Sequence, residues 1–140
     1  MKSMKEIINN EIVEVGYDEY SNSIITIWNK PPTSEGYRLI FSRILEKLLD
    51  YEAESYISDI SKQGLIGIEN RIWLQEEILP RAYAGGLRKV ATIAPNDVFS
   101  RYYVDSIKNG DFSVTTDLKF QYFQDLISAK AWITGEEVPA

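Results

Sequence analysis

The sequence predicts an α/β fold: a mixed five-stranded sheet opened by a β-hairpin and covered by four helices. Three observations predict it. After the hairpin, strand-like runs and stretches of 3.6-residue periodicity alternate four times along the chain. Proline, glycine and asparagine stand at the changes of period, where turns and caps need them. The chain has 140 residues, 44% apolar and 26% charged, which is enough for one core without staples. Such alternation builds a mostly parallel sheet through right-handed crossovers.

The elements follow in order. Residues 11–19 (EIVEVGYDE) alternate in polarity, Tyr20 to Ser23 is turn chemistry, and residues 23–29 (SIITIWN) are β-branched and aromatic. Pro31-Pro32 halts that strand, and Thr33 or Ser34 can cap a helix with Glu35 in its first turn. Tyr37, Phe41, Ile44, Leu45, Leu48 and Tyr51 then recur at helical spacing to about residue 51. Residues 54–60 (ESYISDI) form a short strand, closed by the polar stretch Ser61 to Gly64. A second helix runs from Asn70 through Trp73 to Tyr83, stopped by Gly85-Gly86. Pro80 lies inside it, lacks an N–H and crowds the Glu76 carbonyl, so the helix is expected to bend or end there.

Residues 89–94 (KVATIA) are almost all apolar or small, the pattern of a strand covered on both faces. Pro95 closes it, and Asn96 caps a helix carrying Val98, Phe99, Tyr102, Tyr103 and Ile107. Asn109-Gly110 ends that helix. Residues 120–123 give the last strand, and Asp125 opens a closing helix with Leu126, Ala129, Trp132 and Ile133 inward. The organisation is a short N-terminal extension (1–10), one α/β domain (11–134) and a tail (135–140). Trp28, Trp73 and Trp132 fall where a core needs volume.

Composition excludes more than it assigns. Without cysteine or histidine, the chain holds no disulfide, no thiolate nucleophile, no Ser-His-Asp triad and no Cys or His metal site. A net charge of −6 suits neither nucleic acid nor an anionic membrane. No apolar run reaches the ~18–20 residues of a membrane span, and the N-terminus lacks the apolar core of an export signal. The cytoplasm is the expected location. Phosphate-loop, dinucleotide, S-x-x-K and D-x-D patterns are all missing, so no cofactor is implied.

Several local patterns together resemble a known family. They are the early hairpin ending in the Trp28 strand, the Asp59-Ile60-Ser61 turn with Glu69 to Trp73 beyond it, and the Ile78-Leu79-Pro80-Arg81-Ala82 helix end. To these are added residues 89–99 (KVATIAPNDVF) and 120–133 (FQYFQDLISAKAWI). The chain from about residue 11 to 134 resembles the SpoIIAA-like, or STAS-like, small bacterial proteins, in particular a Bacteroidetes-type subgroup. The resemblance implies a βα superhelix of about four turns and no particular reaction. Anti-sigma-factor antagonists with this fold are switched by phosphorylation of a serine at a helix N-terminus after a central strand. This chain departs from that pattern, because residues 64–70 (GLIGIEN) contain no serine or threonine and Ser61 lies nearer the strand. Other members of the wider fold group bind lipids or other apolar ligands.

Candidate site residues follow from the topology, since open α/β sheets place ligands outside the carboxyl ends of their strands. Asp59, Ser61 and Lys62 close the third strand; Asn96 and Asp97 follow the fourth. Turn formation at Asp59 and helix capping at Asn96 account for those residues equally well. A receiver-type phospho-acceptor role for Asp59 would need a lysine after the last parallel strand, and Phe123 to Asp125 offers none. Tyr102 and Tyr103 are the remaining candidates: adjacent residues cannot share one narrow helix face, so one must leave the buried stripe.

The expected function is a non-enzymatic, regulatory or binding STAS-like domain that takes a small apolar ligand or a protein partner. The alternative is a carboxylate-dependent enzyme with Asp59 and Asp97 at the ends of strands three and four. Nine Tyr, three Trp and five Phe exceed what one small core readily hides, so a homodimer through Tyr102 or Tyr103 is also expected.

Overall fold

At the centre of the computed structural model, which describes residues 4–94, 98–110 and 116–136, lies a six-stranded sheet whose strands follow chain order. They are β1 (Lys5–Asn9), β2 (Val13–Asp18), β3 (Ser23–Trp28), β4 (Ser55–Asp59), β5 (Lys89–Ile93) and β6 (Lys119–Phe123). β1, β2 and β3 pair antiparallel, and β3 to β6 run parallel. Helix α1 (Ser34–Asp50) joins β3 to β4, and α4 (Val98–Lys108) lies between β5 and β6. Between β4 and β5, α2 (Ile68–Trp73) passes through a π turn (Leu74–Ile78) into α3 (Leu79–Ala84). The last helix is α5 (Leu126–Thr134). Counting α2 and α3 as one run gives four helices among the described residues, as the sequence predicts.

The sheet has six strands where the sequence predicts five, and the extra one is β1. Its sequence KEIIN places Ile7 beside Ile8, and a bulge between Glu6 and Ile8 shifts its register against β2. A bulged strand loses the period-two alternation that would announce it. The Asn10 side chain accepts the backbone N–H of Ile12 (2.8 Å) and Val13 (3.0 Å), which makes the turn into β2.

The helix ends obey the capping rules that their residues suggest. The Thr33 hydroxyl accepts the Gly36 N–H at 3.0 Å, and the Asp125 carboxylate accepts the Ser128 N–H at 2.7 Å. Asn96 and Asp97 lie outside the described residues. The helix around Pro80 is not a regular α-helix: the five-residue π turn stands immediately before it, with the Leu79 N–H bonded to the Leu74 carbonyl. The wider turn takes up the carbonyl and ring that a proline would otherwise set against each other.

Alternation along the parallel strands divides the interior. Ile24, Trp28, Tyr56 and Val90 face α1, the α2–α3 run and α4, forming the larger core. Ile25, Ile57, Ala91 and Ile93 face the other way, where Ala129 of α5 packs on them. Trp28 is buried against Tyr37 and Phe41, whereas Trp73 and Trp132 are half-buried.

Candidate functional site

The loop after β4 creates a groove at the carboxyl end of the sheet. The Ile60 N–H extends the β4 ladder by bonding the Ile93 carbonyl at 2.9 Å, and the chain then turns through Gln63, whose N–H bonds the Ile60 carbonyl at 3.1 Å. Gly64 follows with φ +78°, a left-handed conformation that disfavours a side chain. A Cβ there would also stand only 3.0 Å from Pro31, so glycine permits the close approach of the β3–α1 loop. Leu65 to Gly67 then run out to α2. Between this loop, Arg71 of α2, and Tyr102 and Tyr103 of α4 lies a groove of about 560 Å³.

Most of the groove wall is hydrocarbon, supplied by Ile60, Leu65, Ile66 and Ile68. Its polar groups are few and concentrated. The Tyr103 hydroxyl lies 2.8 Å from the Tyr37 hydroxyl. Burial pushes the Tyr103 phenol up to about 12, and burial pushes that of Tyr37 well above its ordinary value. The Arg71 charge acts on both in the opposite direction, without overcoming burial. Both phenols are therefore protonated at neutral pH, and one hydroxyl proton remains beyond the bond the pair shares.

Gln63 is buried at 1% exposure, and its Nε2 has no hydrogen-bond partner of full geometry, although it lies near enough to Tyr103 to favour the phenolate. The Arg71 Nε is also buried without a partner. Its guanidinium lies over the Tyr102 ring, 4.8 Å from the centroid, and among the described residues no carboxylate pairs with it. Neighbouring Asn70 is fully engaged: it accepts from Arg38 Nε at 2.8 Å and donates to Ser34 Oγ at 3.0 Å, tying α2 to α1.

Behind the groove, inside the larger core, is an apolar cavity of about 50 Å³ lined by Phe41, Ile44, Leu74, Ile78 and Val90 among others. Ile60 and Tyr103 line both spaces. The Tyr56 hydroxyl on the cavity wall donates to Thr26 Oγ1 at 2.9 Å, so its polar atom is answered.

The structure brings together some of the residues the sequence singles out. Ser61, Tyr102 and Tyr103 line the groove. The two tyrosines separate as helix geometry requires, Tyr102 standing 61% exposed and Tyr103 turning inward to Tyr37. Asp59 accepts the Ser61 N–H at 3.0 Å, which is turn formation, and neither Asp59 nor the exposed Lys62 forms part of the groove wall. Asn96 and Asp97 fall outside the described residues. Among the described residues no three acidic groups gather to hold a metal. Gln63, Arg71 and Tyr37 carry no signal in the sequence, because their importance lies in what they fail to pair with or in what crosses from another helix.

The fold is similar to that of a solved structure. It is the crystal structure of an uncharacterized protein of the DUF3478 family from Shewanella loihica PV-4, described as having a SpoIIAA-like fold. The two chains are 14% identical and superpose with a TM-score of 0.58, over 91% of this chain and 98% of that one. This chain has the SpoIIAA-like fold. No protein-family model matches the sequence, and no curated protein does. Within this SpoIIAA-like fold no helix among the described residues is long and apolar enough to cross a membrane.

Proposed function

We propose that this SpoIIAA-like chain is a non-enzymatic binding module that takes a small apolar ligand in the groove between the β4–α2 loop and α4. One observation carries the reading: the apolar groove and the internal apolar cavity share two lining side chains, Ile60 and Tyr103. Ligand sites are concave, mostly hydrocarbon, and fitted with a few convergent polar groups, as this one is. The carboxylate-enzyme alternative draws no comparable support, since Asp59 is occupied by its own turn.

Titration of the full chain with the uncharged probe 3-phenylpropan-1-ol, followed by amide chemical shifts, tests the reading. Residues 60–71 and 102–103 are expected to shift together and saturably. Shifts confined to other surfaces, or none at millimolar probe, would overturn it.

The groove rim favours a second reading. Leu65, Ile68 and Tyr102 are exposed at 75%, 59% and 61%, an apolar strip that a second copy of the chain could cover. Sedimentation at micromolar concentration separates the two. A dimer that Tyr102→Ser dissociates supports assembly through the rim, and a concentration-independent monomer removes it.

A further inference from the structure

Among the described residues the groove is lined by one cation and no carboxylate, with Ser61, Gln63 and the two tyrosine hydroxyls as its other polar side-chain groups. Gln63, which lines it, is buried, and its Nε2 makes no full hydrogen bond and only lies near the Tyr103 hydroxyl. Arg71 brings a guanidinium that no carboxylate answers among the described residues, in a chain of twenty-one acidic side chains. Its Nε is itself buried without a partner, and its guanidinium carbon lies over the Tyr102 ring. Tyr103 adds a hydroxyl from the Tyr37 pair. A buried donor left unanswered is costly, and a half-buried guanidinium without a counter-charge attracts an anion, so a ligand that accepts would complete the site.

We propose that Arg71, Gln63 and Tyr103 anchor the carboxylate of a small apolar acid whose hydrocarbon body lies on Ile60, Leu65 and Ile66. The proposal rests on the binding reading above and names its ligand class. A planar carboxylate matches the guanidinium fork and has lone pairs left for the amide and the phenol. A phosphate dianion fits less well, because among the described residues Arg71 is the only cation lining the groove and most of the remaining wall is hydrocarbon.

The test compares 3-phenylpropionate with 3-phenylpropan-1-ol, two probes that share a body and differ in the head group. With the full chain, the acid is expected to bind about tenfold tighter, as a charge-assisted bond adds to the same apolar contact. Arg71→Gln should bring the two affinities to parity, and Arg71→Lys should keep part of the preference. Gln63→Met gives an independent, smaller loss should Arg71→Gln fail to fold by circular dichroism. Equal affinities in the unaltered chain, or an acid preference that survives Arg71→Gln, would overturn the proposal and leave the binding reading standing. Absence of binding by both probes would overturn the two together.

Discussion

The two ends of the parallel strands treat buried polar atoms in opposite ways. At the amino end, where β3, β4 and β5 begin, no buried polar side-chain atom among the described residues is left without a partner. Asp18 is 2% exposed and accepts from the Ser21 N–H at 3.2 Å and the Ser21 hydroxyl at 2.5 Å, with Lys130 of α5 at 3.6 Å. The Tyr17 hydroxyl donates to Asn22 at 2.7 Å, and its ring stacks on Tyr51 at 4.1 Å. At the carboxyl end the account is open. The three buried side-chain atoms left without a partner among the described residues are Trp28 Nε1, Gln63 Nε2 and Arg71 Nε. Trp28 closes β3 at this end of the sheet, and Gln63 and Arg71, which follow β4, line the groove. A saturated end stabilises the fold; the unsaturated end is where the binding proposal places its ligand.

Substitutions should therefore have opposite signs at the two ends, and the largest effect belongs to the saturated one. Asp18→Ala leaves Ser21 and Lys130 without their acceptor, and Lys130 is partly solvated. The expected loss is about 2–3 kcal/mol in urea unfolding, with an unchanged m-value. A loss well under 1 kcal/mol (about one ordinary hydrogen bond) would break the comparison, because the amino end would not be where stability resides.

Gly64→Ala should come next. A side chain at φ +78° is strained, and its Cβ would press on Pro31 at 3.0 Å. The expected cost is about 1–2 kcal/mol from the left-handed backbone alone. Because the same loop carries Leu65 and Ile66 into the groove wall, affinity for 3-phenylpropan-1-ol should fall with stability. Asp18→Ala, by contrast, should destabilise the chain and leave groove affinity intact. Loss of affinity in Asp18→Ala at a temperature where the chain stays folded would mean that the two ends are not independent.

How far the sequence anticipates this division depends on the kind of information each residue carries. The order of strands and helices is legible because the hydrophobic period changes from 2 to 3.6 and back, and because Thr33 and Asp125 cap what they precede. β1 escapes because its bulge spoils alternation. The split of Tyr102 from Tyr103 is legible, since adjacent helix positions diverge whatever the fold. Tyr37 reads as one more core position of α1 and only the finished packing sets its hydroxyl against Tyr103. Gln63 sits in a polar stretch that reads as solvated, and is buried because the loop folds back across Gly64. An unpaired donor is a property of what surrounds a residue, so no single position can announce it.

The smallest expected effect makes the sharpest test of the comparison. Gln63→Met keeps an unbranched side chain of similar length and deletes the amide. At a saturated position such a change would cost stability, because a partner would be left behind. Here Nε2 makes no full hydrogen bond and only lies near the Tyr103 hydroxyl, so removing it gives up little and relieves the desolvation of a buried donor. Stability should stay level or rise by up to about 1 kcal/mol. The same substitution should weaken binding of 3-phenylpropionate while leaving that of 3-phenylpropan-1-ol nearly unchanged. Thermal unfolding and the two titrations on one variant read both quantities. A destabilisation near that of Asp18→Ala would show that the amide is structural and that the carboxyl end is as fully answered as the other.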